Sequence, residues 1–435
     1  MSLKRTIDAL VVGAGPVGLT AALTLVRGGH RQVEIIDEAE RRTGLSYALA
    51  LHPATLDGLE KLGVAAALIA RGNRIDRVAI YDGAIRKAEL ALGSLDRAHP
   101  FVLVVPQSEL EAVLLAALAD EGVEVRWSHR LSRLDASAGA GVASSIDRID
   151  SDSSGYAVAH ASGVVGKTFE REIPLVLGAD GHGSLVRRQL GIERRATGLS
   201  GTVAVFELDG ESLPAGLPPD EARRELRITF TGGLRSVWWP LPGDRTRLGF
   251  ELQAENGPTA ARHKSRLPSI VPWLASTLDD RKLSELAAER MPWHPIPSGR
   301  LMWSVAVRFE RALADSFGRG RVWLAGDAAH LAFPFGVQSM NEGILEAQDL
   351  ASRCGRVLAG AEPLASLEAY GDERLARWRA LARPMADGAA QDTMSSDPWL
   401  AAHAAGILEA LPVAAGEAAA LFARIASESA PSLSV

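Results

Sequence analysis

In 435 residues the chain holds a single cysteine, Cys354. No disulfide can close within it, and a thiolate zinc site is excluded, so a reducing compartment, the cytoplasm, is expected. Aromatic side chains are scarce at 5%, which makes the placement of each one informative. Long basic runs are missing and the net charge is −6, so the electrostatic footprint of a nucleic-acid binder is absent. No uninterrupted apolar stretch reaches the ~18 residues of a membrane span. The opening MSLKRTIDALVVGAG runs from two basic residues through a short apolar segment straight into glycines, with no small-residue cleavage site; it reads as a strand and not as a signal peptide. No GxSxG elbow and no HExxH pair occur, which removes the serine-hydrolase and zincin engines, and no metal is expected. GHGSL at 181–185 has its serine at the wrong spacing for an elbow; Ser184 reads as a helix N-cap. There is no repeat architecture.

What remains is a chain with 47% apolar residues, too long for one core, so two or three interleaved domains are expected. Residues 8–23 read DALVVGAGPVGLTAAL. A short buried strand ends at Gly13, a helix follows, and a second apolar run, VEIID, closes on Asp37. Strand, glycine turn, helix, strand and acid in this order form a dinucleotide fingerprint. Gly13 permits the tight turn, Gly15 lets a diphosphate approach the backbone, and Gly18 lets helix and strand pack closely. The helix start at Pro16 and Val17 offers unpaired N–H groups to an anion. Asp37, with Glu38 beside it, is placed to accept from ribose hydroxyls. Arg41 and Arg42 suit phosphate neutralisation or an exposed surface equally.

Two further corners deliver Gly and Asp from an apolar strand to a loop, at the sheet edge where ligands of open α/β sheets bind. IPLVLGADGHGSLVRRQLGI (173–192) presents Asp180, and GRVWLAGDAAHLAFPFGVQSMNEGILEAQDLASRC (320–354) presents Gly326 and Asp327, then Pro334 and Gly336, then a helix from about Asn341. A plain NAD dehydrogenase has no use for the second and third corners.

The trio resembles the class A flavoprotein monooxygenases, the para-hydroxybenzoate hydroxylase-like family, through its GxGxxG, DG and GD motifs over about residues 5–370. The resemblance implies an α/β fold: a Rossmann-like FAD-binding domain (1–75, 100–190 and 286–365) and an inserted β-sheet substrate-binding domain (76–99 and 191–285); the Ala/Leu/Arg-rich composition of 366–435 reads as a helical C-terminal region, a cap or homodimer surface. It implies FAD as cofactor, NADH or NADPH as co-substrate, O2 and a small aromatic or polyketide-like substrate, with one oxygen atom passing to the ring from a flavin C4a-hydroperoxide. Gly13, Gly15 and Gly18 would cradle the FAD diphosphate and Asp37 the adenosine ribose. Gln107 would face the FAD side of the cleft, Asp180 would support the diphosphate region and serve NAD(P)H use, and Asp327 would bond the ribityl chain. Pro334 would sit beside the reactive edge of the isoalloxazine, and Met340 and Asn341 would face its pyrimidine. His330 is a candidate acid or base, with a structural role as the alternative. A halogenase, a double-bond reductase or a non-catalytic flavin-binding protein are the rival readings.

The chain departs from the family pattern PxGGQGxNxG: Val337 and Ser339 stand where two glycines are usual. A β-branched valine restricts the backbone there. Asp37 stands where many relatives have Glu. Residues 75–105 read as a strand pair, and GTVAVFEL, ELRITFT, RSVWWPLP and TRLGFEL as strands of a platform over the flavin. Trp238 and Trp239, on neighbouring positions, would point to opposite faces, and either could line a substrate pocket. Segment 136–155, rich in Ser, Gly and Asp, reads as a loop or hairpin tip, and 271–297 as helix followed by extended chain.

Overall fold

The computed structural model describes residues 7–40, 49–136, 141–150, 164–198, 200–210, 212–214, 216–253, 278–294, 299–382 and 397–428. Along the chain run Ala9–Val12 (β1), Pro16–Arg27 (α1), Val33–Ile36 (β2), Pro53–Lys61 (α2), Arg77–Asp82 (β3) and Ile85–Ala91 (β4). Gln107–Asp120 (α3), Val125–Arg126 (β5), Leu175–Gly178 (β6) and Leu185–Gln189 (α4) follow. Then come Gly201–Asp209 (β7), Glu225–Thr231 (β8), Leu234–Leu241 (β9), Arg245–Leu252 (β10), Asp280–Arg290 (α5) and Arg300–Phe309 (β11). Gly318–Arg319 (β12), Val322–Leu324 (β13), Gln338–Leu358 (α6), Ser366–Ala382 (α7), Pro398–Ala410 (α8) and Ala415–Glu428 (α9) complete the set.

The first sheet has the order β12-β13-β6-β1-β2-β5 and is parallel except for β12. Its central strands β1, β6 and β13 (ALVV, LVLG and VWL) are apolar and buried along their whole length, as a sheet covered on both faces requires. β1 (ALVV) is fully buried. α1 starts with Pro16 at its first turn, where the missing N–H costs nothing, and buries Leu19, Ala21, Ala22, Leu23 and Val26. α6 lies against α1. Gly343 of α6 makes this approach feasible: a Cβ there would meet the Gly326 Cα and the Val17 side chain at 2.9 Å.

The second sheet has the order β11-β7-β10-β9-β8-β3-β4, antiparallel except where β8 meets β3. One face carries Val203, Ile228, Val237 and Trp239 and packs on Phe333, Phe335 and the helices α8 and α9. The other carries Ala204, Phe206, Trp238, Leu248 and Phe250 and packs on Leu283, Leu286 and Ala287 of α5.

Three expectations change. Within segment 136–155, read as a loop or hairpin tip, Val142–Asp150 is a nine-residue strand paired on both sides with His129–Asp135 and Val164–Ile173, and residues 137–140 and 151–155 lie outside the described residues. Cross-strand hydrogen bonding overrides a polar composition, because its alternate residues Val142, Ser144 and Ile146 are buried. β11, grouped by sequence with the FAD-binding domain, instead pairs with β7 in the second sheet. Finally, 366–435 is not one unit. α7 packs Leu367, Tyr370 and Trp378 on the first core, whereas α8 and α9 pack Leu400, Ile407 and Phe422 on the second.

Candidate active site

The glycine turn between β1 and α1 is dictated by sterics. Gly13 has φ +104°, and a Cβ there would fall far inside contact with the Ala179 carbonyl; a Cβ on Gly18 would collide with the Gly13 carbonyl oxygen. Gly15 differs, since a Cβ on it would meet no protein atom within 4 Å. No side chain caps the α1 N-terminus. The turn therefore presents uncapped helix N–H groups beside open space, which suits an anionic diphosphate. Asp37, at the end of β2, accepts from the Ala14 N–H at 2.8 Å and from the Ala39 N–H at 2.8 Å. It ties the glycine turn to β2, and each carboxylate oxygen retains a second lone pair. Glu38 is half-buried next to it. Arg41 and Arg42 lie outside the described residues.

A cavity of about 460 Å³ opens directly from this turn. Gly15, Pro16, Val17, Gln107, Ala179 and Asp327 line one end. Val203, Val237, Trp239, Gly249, Phe333 and Phe335 line the other, and Pro334 and Met340 lie on its wall as well. Arg247 is a polar group on the apolar end, buried and paired with Glu207 at 2.6 Å. Gln107 bonds Glu111 at 2.7 Å at the start of α3.

The two Gly–Asp corners are used differently. Asp180 is turned away from the cavity into α4: its carboxylate accepts from Ser184 Oγ at 2.6 Å and from the Leu185 and Val186 N–H groups at 2.6 and 3.0 Å. Burial raises its pKa, opposed by these donors. Ser184 is the N-cap of α4, as its spacing predicts, and accepts from the Arg187 N–H at 2.9 Å. Asp180 is thus a helix-capping acid, and its neighbours Ala179, Gly181 and His182 are the residues that reach the cavity. Asp327, in contrast, is exposed to the cavity. Gly326 holds φ +64°.

His330 does not reach the cavity. It is fully buried, stacks on Trp378 with ring centroids 3.7 Å apart, and bonds Glu346 at 2.7 Å. The same Glu346 accepts from the Gly326 N–H at 3.0 Å and from Trp378 Nε1 at 2.6 Å. Burial opposes its charge, yet the His330 imidazole and the two N–H donors hold its carboxyl below the usual range. A group with no access to the reacting space cannot exchange protons with it, so His330 is structural. Glu346 escaped the sequence reading, although it is an acid on the buried stripe of α6.

The strand register separates the two tryptophans. Trp239 lines the cavity; Trp238 is fully buried on the opposite face against the α5 cluster. Trp238→Ala is expected to cost ~3–5 kcal/mol of folding stability. Trp239→Phe should cost under about 1.5 kcal/mol while changing affinity for aromatic guests. Denaturant unfolding and guest titration separate the two effects.

The FAD binding domain family matches residues 6–384. The chain belongs to this family. The 6-methylpretetramide 4-monooxygenase of Streptomyces rimosus is 29% identical over 371 residues, covering 84% of this chain and 58% of that protein. Aklavinone 12-hydroxylase RdmE of Streptomyces purpurascens is 30% identical over 396 residues, covering 85% and 65%. This chain therefore spans under two thirds of either relative. The crystal structure of p-nitrophenol 4-monooxygenase PnpA from Pseudomonas putida DLL-E4 superimposes with a TM-score of 0.71 at 22% identity, covering 98% of both chains. The likeness extends the α/β arrangement to a chain of similar length.

In this FAD-binding-domain protein the turn after Pro334 is built with Val337 and Ser339 in place of the two glycines. Val337 sits at φ +52°, ψ +30°, a left-handed conformation unfavourable for a β-branched residue. Ser339 donates to Asp327 Oδ1 at 2.6 Å. Asn341 is buried and does not reach the cavity: it accepts from the His52 N–H at 2.8 Å and donates to the Ala50 and Val337 carbonyls, each at 2.9 Å. Gly336 is likewise buried behind the wall, with its carbonyl 2.7 Å from His52 Nε2.

Burial lowers His52 to about 4, against the pull of the Gly336 hydrogen bond, and burial followed by Arg227 lowers His294 to about 4. Both are neutral when folded and bind a proton near pH 6.5 when unfolded. Their contribution is complete above about pH 6.5 and is lost as pH falls toward about 4, by up to ~1.4 kcal/mol per pH unit for each histidine. Unfolding midpoints measured from pH 8 to 4 should fall on the acid side, and His52→Gln should flatten part of that slope.

Proposed function

We propose that this chain is an FAD-dependent monooxygenase that takes reducing equivalents from NADH or NADPH and adds one oxygen atom from O2 to an aromatic or polyketide-like small molecule. The proposed setting is the cytoplasm, where the nicotinamide co-substrate is available. The observation that carries this reading is one cavity lined both by residues of a dinucleotide-type glycine turn and by an apolar, aromatic-bearing sheet face. The relatives named above, a pretetramide monooxygenase and an aklavinone hydroxylase, support the substrate class.

The residues fit FAD. The uncapped α1 N-terminus and Gly15 would hold the diphosphate, Asp37 the adenosine ribose and Asp327 the ribityl chain. When bound, FAD supplies the redox chemistry, accepting a hydride from the nicotinamide and activating oxygen. The chain itself does the rest. Pro334 and Met340 form a wall that has no titratable side chain. Val203, Val237, Trp239 and Phe335 exclude water and orient a flat guest by contact. Arg247, held by Glu207, which also meets Arg245 at 3.2 Å, sets a cationic group among the apolar lining residues.

Purified protein reconstituted with FAD should be yellow. It should consume NAD(P)H and O2 in step with the formation of a product one oxygen atom heavier than a phenolic or polycyclic substrate. NAD(P)H consumption with a reduced product and no oxygen uptake would overturn the monooxygenase reading, and failure to retain any flavin would overturn the cofactor.

A further inference from the structure

The Gly336–Ser339 turn is gripped from behind by the chain's last two described helices, which begin beyond the family-matched residues 6–384. Gln338 Nε2 donates to the Val413 carbonyl at 2.9 Å and the Leu411 carbonyl at 3.4 Å, both in the α8–α9 connector. Gly336 passes so close to the Glu409 carbonyl that no Cβ could be accommodated. The Glu409 side chain bridges two arginines: it bonds Arg235 Nη1 at 2.6 Å and forms an ion pair with Arg311. Those arginines lie over the ring of Phe333, at 4.8 Å and 5.6 Å, and Arg235 also lies over Phe335 at 5.1 Å. Arg235 is fixed in turn by Glu251 at 2.8 Å. Leu411 and Val413 are completely buried, so the connector is anchored in the second core.

A left-handed valine is strained and persists only where its surroundings over-determine it. Here His52 and Asn341 hold the turn from the α2 side, and the α8–α9 corner holds it from the other. We propose that the α8–α9 corner is a latch that keeps Val337 in its left-handed conformation and so shapes the cofactor-facing wall, with Glu409 and Gln338 as its positioning residues. The proposal rests on the FAD reading above, because the wall it shapes is the one Pro334 and Met340 present to the cavity.

Glu409 lies outside the cavity lining, so its replacement leaves every proposed cofactor contact in place. Glu409→Ala is expected to weaken FAD binding about tenfold, because the turn that shapes the wall is no longer preorganised and must be ordered on binding. It should also shift the visible flavin spectrum, with far-UV circular dichroism unchanged; Glu409→Asp should recover part of the affinity. The decisive measurement is a double-mutant cycle with Val337→Gly. With glycine at 337 the left-handed conformation carries no strain to be restrained, so Glu409→Ala should then weaken FAD binding less than threefold. Equal losses in both backgrounds would sink the latch, as would a Glu409→Ala protein whose FAD affinity and spectrum match the wild type. If the wild type itself fails to bind FAD, the cofactor reading fails first, and thermal unfolding of the same four proteins still tests the coupling: Val337→Gly should stabilise the wild type more than the Glu409→Ala protein. The absence of that difference overturns the latch independently.

Discussion

Gly18→Ala is expected to yield protein that no longer retains FAD. The added methyl would collide with the Gly13 carbonyl oxygen, which is backbone and cannot swing aside. Gly13 cannot retreat either, since it holds φ +104° against the Ala179 carbonyl. α1 must therefore move off β1, and the uncapped helix start moves with it. An overpacked site of this kind costs ~3 kcal/mol, roughly a hundredfold in FAD affinity, along with a fall in apoprotein stability. Gly15→Ala is the informative partner. A Cβ at Gly15 meets open space, so the apoprotein should unfold at the wild-type midpoint. FAD affinity should still fall, because the methyl occupies space that the diphosphate needs. Titration of both apoproteins with FAD, beside their thermal unfolding, checks the pair. A Gly15→Ala protein with wild-type FAD affinity would remove the diphosphate from this turn.

Glu346→Ala is expected to be among the most destabilising single changes in the chain. It removes one acid and leaves three polar partners in a fully buried space: His330, the Gly326 N–H and Trp378 Nε1. Breaking a buried pair from one side costs ~3–5 kcal/mol, and the orphaned N–H groups add desolvation cost. Glu346→Gln keeps an acceptor for one donor and should cost roughly half as much. The damage should reach the cofactor, because Gly326 sits at φ +64° next to Asp327 and loses its N–H acceptor. Denaturant unfolding should rank wild type above Gln and Gln above Ala, with FAD affinity falling in the same order. His330→Phe, which preserves the stack on Trp378 but removes one of the three partners of Glu346, should be destabilising without any specific change in the pH dependence of turnover. A lost pH limb in that variant would restore His330 as an acid or base.

The three corners were legible because each is a local pattern. An apolar run that stops at glycine, followed by helix composition, has one good solution in an open sheet, and the steric demands at Gly13 and Gly18 follow from the backbone. The strands 201–209, 225–231, 234–241 and 245–252 were legible for the same reason, and so was the opposition of Trp238 and Trp239, which needs only the two-residue period of a strand. Membership of the FAD-binding family was also carried by these motifs.

Which tryptophan meets the cavity was not legible, because alternation assigns two faces but only the partner sheet or helix says which face is which. Asp180 and Asp327 look alike in sequence. One caps a helix that begins five residues after it, while the other is left open and is met by Ser339 from the first turn of a later helix. His330 was open in sequence to both an acid–base and a structural reading, and only Glu346, sixteen residues on and inside the following helix, decides between them. The grip of residues 409–413 on Gly336 and Gln338 joins segments more than 70 residues apart, and no local period encodes such a contact. Backbone sterics and hydrophobic period determined the corners and the strands. Burial and partner geometry, which exist only once distant segments meet, decided which polar groups face the cavity and which hold the wall behind it.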